Sequence, residues 1–160
     1  MKNEIEYSDN MGKLKGHWKM EAFMGDIVKD AKGKILNTLV ETIEGDNIIV
    51  SAGKALIMDR VFGLSSVGAM TRIGVGTSST AASLTDTALT GGVFVAFDSV
   101  PTRSGLVVTC VATFGTAVAN ISWNEMALDN GTTLLNRIVI GPFNKSSAIS
   151  IIITCQITQN

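Results

Sequence analysis

The first stretch that could do chemistry is RIGVGTSSTAASLTDTAL, from Arg72 to Leu89, which has a Gly-x-Gly near its start and then a run of Gly, Ser, Thr and Ala with one charge, Asp86. A dinucleotide fingerprint needs Gly-x-Gly-x-x-Gly at the start of a helix, so that backbone amides and the helix N-terminus cradle a pyrophosphate. Here Ser79 stands where the third glycine belongs, and the Ser/Thr-rich run that follows is a weak helix start. The upstream NIIVSAGKA is a near-miss to a phosphate-binding P-loop. That motif would need glycine at Ile48 and a hydroxyl at Ala55. Both the backbone cradle and the magnesium-binding oxygen are therefore missing, and Gly53 and Lys54 read as the first turn of a helix. No cofactor is expected.

The remaining reactive side chains are sparse. His17 is the only histidine; alone it builds neither a histidine metal site nor a proton relay, and it falls on the polar face of a strand. Cys110 and Cys155 lie on the apolar faces of their strands, where a free cysteine acts as a small hydrophobe. Glu125 falls beside Trp123 on an alternating strand and is placed to pair with Arg137 across a hairpin. That reading, an ion pair fixing register or a subunit contact, is favoured over a lone general acid. Asp86, between two threonines, suits capping of a local turn through its carboxylate. The Asn-x-Ser/Thr triplets at Asn130 and Asn144 carry no weight without a signal peptide. No catalytic residues, metal ligands or enzyme activity are expected.

Among the elements that would position these residues, HWKMEAFM (17–24) alternates, with Trp18, Met20, Ala22 and Met24 on one face. Asp30-Ala31-Lys32-Gly33 marks a turn. Strand-like residues resume at 39–43 and 47–50, with Glu44-Gly45-Asp46-Asn47 read as a turn between them. SAGKALIMDRVFG then changes period. A helix is expected over about 52–62, capped by Ser51 and ended by Gly63, with Ala55, Met58 and Phe62 facing a sheet core, flanked by Ile57 and Val61. Further strands are expected at 70–76, 93–100, 105–114, 119–128, 133–140 (ending before Gly141-Pro142) and 147–158, with Asp129-Asn130-Gly131 as a hairpin turn. Regular short strands argue for an antiparallel β-sandwich, and the lack of strand–helix alternation argues against a doubly wound fold. The expected organisation is an N-terminal arm, 1–16, and a single β-sandwich domain, 17–160.

Composition fits a role in assembly. The 160 residues carry a net charge of −1, so no global field draws nucleic acid or acidic membranes. No apolar run approaches the ~20 residues that span a bilayer, the N-terminus lacks a secretory apolar segment, and two cysteines make no disulfide framework. Residues 1–60 hold nine Lys/Arg and ten Asp/Glu of the totals 13 and 14, leaving four of each for 61–160. A typical domain carries about 25% charged residues. A surface of Ser, Thr, Asn and Gly is cheap to desolvate and matches the charge-poor centres of interfaces.

Three segments resemble those of small tailed-phage virion proteins. NIIVSAGKALIMDRVFGL is similar to their Asn-Leu-Val-x-x-Ala-Gly-Arg segment. RIGVGTSSTAASLTDTAL is similar to a Gly-Thr-Gly…Thr-Asp-Thr-Ala-Leu segment, with Ser78 in place of its second glycine. NEMALDNGTTLLNRIVIGPFNKSSAISIIIT resembles a closing pattern in which Glu-x-x-Leu precedes a glycine turn, a Leu-Leu-x-Arg strand, a lysine and a final alternating strand. The resemblance runs from about Asn47 to Thr158; residues 1–46 match less well. It implies a jelly-roll β-sandwich and a capsid decoration (cement) protein that binds and stabilises the major capsid protein shell as a homotrimer. The chain would be made in the host cytoplasm and carried on the virion. The alternative is a tail component: a fibre, adaptor or baseplate subunit. A sugar-binding or hydrolytic fibre domain is a third reading, weakened by the small number of aromatic residues. Neither nucleic acid nor membrane is an expected partner.

Overall fold

The computed structural model describes residues 13–64 and 66–160. Its elements in chain order are β1 (Leu14–Met24), β2 (Leu39–Ile49), α1 (Ser51–Phe62), β3 (Arg72–Gly76), β4 (Val93–Ala96), β5 (Thr102–Ser104), β6 (Val107–Phe114), β7 (Ser122–Asp129), β8 (Asn136–Asn144) and β9 (Ile149–Gln159). The protein is mainly β with one short helix, as the strand spacing implies. The nine strands form one antiparallel sheet, ordered β4-β3-β7-β8-β2-β1-β9-β6-β5 and curled into a half-barrel. The layers that face each other are therefore the two flanks of a single sheet.

The chain itself enforces the curl. β4 and β5 are consecutive in sequence yet lie at opposite ends of the sheet. Residues 97–101 alone connect them, so the two edges must approach one another. Phe97 N–H donates to Thr71 O (3.0 Å) on the β3 side, and Asp98 N–H donates to Val111 O (2.9 Å) on the β6 side. The Asp98 carboxylate also accepts from the Thr113 amide and hydroxyl, at 2.9 and 2.7 Å.

Inside the curl lies one core, built from alternating residues of both flanks. Trp18, Met20 and Ala22 of β1, Cys110, Ala112 and Phe114 of β6, and Ile151, Ile153 and Cys155 of β9 meet Ile73, Val75, Trp123, Met126, Leu128, Ile138 and Phe143. Trp123 is central: Phe114 meets it edge-on at 4.9 Å, and its indole N–H donates to Ala119 O (2.8 Å), so its polar atom is satisfied.

Several boundaries differ from expectation for physical reasons. Residues 1–12 of the expected arm lie outside the described residues; Leu14 and Gly16 already belong to β1, paired with Gln159 and Ile157. β2 runs unbroken through Glu44-Gly45-Asp46-Asn47, because these residues pair in register with β1 from Lys19 to Gly16. Gly45 is glycine for a packing reason, since a Cβ there would come within 2.9 Å of the Ile138 side chain. β1 keeps its register with β9 through Met24 while its pairing with β2 shifts between Ala22 and Phe23, and Met24, expected on the inner face, is exposed. β8 continues through Pro142 to Asn144. A bulge between the Trp123 and Glu125 pairings absorbs the proline, whose missing N–H removes no ladder bond at such a site.

The helix corrects the expectation most sharply. Its N-cap is Val50, with no side-chain cap, and Ser51 is the first helical residue, donating its amide to Leu84 O (2.8 Å). Gly63 does end it, in the left-handed conformation at φ 65°. The buried residues are Gly53 and Leu56, whereas Met58 (55%), Val61 (71%), Phe62 (64%) and Leu64 (76%) are exposed. The side named as core-facing by its spacing faces outward. Gly53 decides this, because a Cβ on it would lie 2.2 Å from Leu135 O. The helix therefore sets its smallest residue against the Leu135 backbone, just ahead of β8, with that side inward.

Candidate functional site

The 77–92 segment, the helix start and the β7–β8 hairpin converge on one buried guanidinium, that of Arg137. This residue is 3% exposed. Its Nε donates to Glu125 Oε2 at 2.6 Å, one terminal nitrogen to Asp86 Oδ2 at 2.8 Å, and the other to Thr80 O at 2.9 Å. Glu125 is fully buried, and its other oxygen accepts the amides of Thr90 (2.7 Å) and Ser78 (3.1 Å). Asp86 Oδ2 also accepts the Ser83 amide at 2.8 Å. Both ends and the middle of the loop are thus tied to one cation and one carboxylate. Leu84 of the same loop caps the helix through its carbonyl.

Electrostatics follow the geometry. Burial works to push the Asp86 carboxyl up, but the Ser83 amide and the Arg137 guanidinium outweigh it and hold Asp86 below the usual carboxylate range. For Arg137 burial again opposes charge, and the bonds to Glu125 and Asp86 raise its affinity for the proton above the ordinary arginine value. Glu125 spends one oxygen on Arg137 and the other on the Thr90 and Ser78 amides, so it acts as a clamp.

The Gly-x-Gly now has a packing explanation. A Cβ on Gly74 would lie 2.3 Å from the Phe94 ring, and one on Gly76 would lie 2.4 Å from Glu125 Oε1 and 2.8 Å from Thr90 O. Both glycines lie within β3 and give their side-chain space to neighbours, rather than exposing amides to a phosphate. The expected Glu125–Arg137 pair and the Asp86 turn cap are both present. Sequence reasoning missed that they share one guanidinium. It also put Glu125 on the face of Trp123. The bulge between these residues sends Trp123 and Met126 into the core and Glu125 to the opposite face, under the loop.

The other candidates stay apart from this cluster. His17 is exposed and meets Asp46 Oδ1 at 2.9 Å. Cys110 and Cys155 are free, buried and directly paired across β6 and β9. Burial pushes the Cys110 thiol up to about 11 and that of Cys155 well above its ordinary value, so neither is a nucleophile at neutral pH. Asn130 closes the β7–β8 turn, accepting from the Thr132 and Thr133 amides. Arg72 pairs with Asp129 across β3 and β7 and lies 4.2 Å over the Phe94 ring. Lys145 is 4% exposed and donates to Asn120 Oδ1 (2.8 Å) and Thr116 O (3.4 Å), with no carboxylate partner among the described residues; burial lowers its pKa.

Beyond the clamp, β2 and β8 pair only at Ile48–Arg137 and Ile49–Asn136 and then diverge. The fork opens a cleft of about 420 Å³, lined by Asp46, Ile48, Val139 and the loop residues Ser79 and Ala82. Among the described residues no group of three or more His, Cys, Asp or Glu could hold a metal ion, and no helix is long and apolar enough to cross a membrane. No family model, curated protein or solved structure matches the chain.

Proposed function

We propose that this chain is a phage virion structural protein that decorates the capsid, binding the major capsid protein shell as a homotrimer and stabilising it. The observation that carries the reading is where the charges go. Of the eight charged residues in 61–160, only Asp98 and Arg103 are exposed. Arg72, Asp86, Glu125, Asp129 and Arg137 are used in internal ion pairs, and Lys145 is buried. The surface contributed by 61–160 is therefore poorer in charge than the composition suggests, and beside it Met58, Val61, Phe62 and Leu64 form one exposed apolar stretch around the end of α1. Such a surface loses little on desolvation and gains from apolar contact.

The residues behind the resemblance fit a framework role. Gly76, Asp86, Glu125, Leu135 and Arg137 fix one loop and one helix to the sheet, which holds the apolar stretch at a set angle. On a lattice many modest contacts of this kind add through multivalency. The test is to mix purified chain with undecorated shells and measure bound copies and shell stability to heat. Saturable binding in hundreds of copies per particle, with a raised disruption temperature, is the expected result. No binding sinks the decoration reading, and a handful to a few dozen copies on purified virions points to the tail instead.

A further inference from the structure

Two surfaces of the β1–β2 region complement each other. The first is a free strand edge. Over residues 39–47, β2 pairs with β1 on one side; its other side has no ladder partner among the described residues, and from Gly45 on it faces β8 across the cleft. Leu39 (49%) and Val40 (48%) are exposed at one end of this edge, and Glu41, Glu44 and Asp46 are exposed along it. A long open edge with apolar residues is a template for another chain unless something covers it.

The second surface is the tip, 28–36. It is closed by Gly33 N–H to Asp30 O, Asp30 N–H to Lys34 O and Leu36 N–H to Val28 O, each at 2.9 Å. Lys29, Lys32 and Lys34 are exposed on it, flanked by Val28 (54%) and Leu36 (59%). Asp30, its only carboxylate, is occupied by the amides of Lys32 and Lys34. Asn37 anchors the base of the tip, donating to Met24 O and Asp26 O, and Thr38 O accepts from the Met24 amide.

We propose that a second copy of this chain covers the β2 edge, with the Lys29/Lys32/Lys34 tip of one copy seated along Leu39 to Asp46 of the next. Charge selects this arrangement over the symmetric ones. Edge-to-edge pairing about a twofold axis would crowd the Glu41, Glu44 and Asp46 of both copies onto one ribbon, and tip-to-tip contact would oppose lysines. Lys19 and His17 face Glu44 and Asp46 from β1 and offset them in part; Glu41 faces Ala22 and has no cation opposite it. A tip-to-edge contact is head-to-tail, and with a rotation that closes, as the proposed trimer requires, it builds a ring. This inference deepens the reading of the chain as an assembly protein and names the surfaces between copies.

The full chain is tested by size-exclusion chromatography with light scattering across a concentration series, at ~0.05 M and ~1 M salt, where screening lengths differ severalfold. We expect a closed oligomer that loosens at high salt. The tip set K29E/K32E/K34E and the edge set E41K/E44K should each weaken association tenfold or more, and a chain carrying both sets should associate again. Circular dichroism reports folding; if a set fails to fold, K32E and E41K alone carry the test. A wild type that is monomeric at every concentration, or association indifferent to both sets, overturns the proposal. The decoration reading fails separately. A monomer that still binds shells overturns only the present inference, and charge-dependent oligomers that bind no shells overturn only decoration.

Discussion

Arg137 and Lys145 are both buried cations near the two ends of β8, and the molecule treats them in opposite ways. Arg137 meets two carboxylates and a carbonyl in a fixed fork; Lys145 meets two neutral oxygens. Burial opposes charge in both, and only for Arg137 do partners outweigh it. A planar guanidinium can serve several acceptors at once, so it can join a strand, a hairpin partner and a loop. A lysine on neutral oxygens holds one turn. The same burial thus makes Arg137 an organising centre and Lys145 a local tether.

The comparison breaks most severely at Glu125. Glu125→Ala leaves the Arg137 charge without its closest partner and strips two loop amides of their acceptor. A loss of ~3–5 kcal/mol is expected from breaking a buried pair. Urea unfolding would show it as a lowered midpoint, and a change under 1 kcal/mol would refute the clamp. Replacing both partners, Glu125→Leu with Arg137→Met, removes the stranded charge. The double variant should be at least ~1 kcal/mol more stable than the sum of the single losses predicts.

Gly76→Ala tests the same cluster without touching a charge. The new methyl would sit 2.4 Å from Glu125 Oε1 and 2.8 Å from Thr90 O, and backbone cannot yield as a long side chain can. Overpacking of this kind costs ~1–3 kcal/mol. Gly63→Ala is a useful contrast: it meets no neighbouring atom, and the cost comes only from the left-handed φ of 65°.

Asp86 is the outer, partly exposed member of the clamp, so Asp86→Ala should cost less, ~1 kcal/mol at neutral pH. Its folded pKa is lowered, so its contribution is full above the ordinary carboxylate value near ~3.9 and fades as pH falls through the folded value. Wild type and variant should therefore converge in acid. A stability gap that persists below that range would show that Asp86 acts through packing instead.

Legibility of the sequence followed the same division. Elements governed by period two were readable: the alternating isoleucines of β9 all pack on the core. So was local chemistry, as with the Asn130-Gly131 turn and the Glu125–Arg137 pair. What failed depended on one extra residue or one close approach. The bulge before Glu125 reverses which face it serves, and no periodicity announces it. The side of α1 that turns inward is chosen by Gly53 against Leu135 O, a contact with backbone more than eighty positions away. Spacing marks Met58, Val61 and Phe62 as apolar neighbours but cannot say whether they meet this chain's core or the outside.

Lys145 supplies the gentlest test. Its acceptors, Thr116 O and Asn120 Oδ1, belong to residues that keep some access to solvent, so Lys145→Met strands no buried charge and should change stability by no more than ~1 kcal/mol at neutral pH. The pH dependence is more telling than the size. Burial lowers the folded pKa of Lys145, so at neutral pH the folded protein carries the cost of a buried charge. As pH rises between the folded value and the ordinary lysine value, the unfolded chain holds more protons than the folded one, and wild type gains stability with each step. The methionine variant lacks that gain. Denaturation across the alkaline range should therefore show wild type improving against Lys145→Met; a constant difference would mean that Lys145 titrates as an ordinary surface lysine, and the contrast with Arg137 would be one of geometry alone.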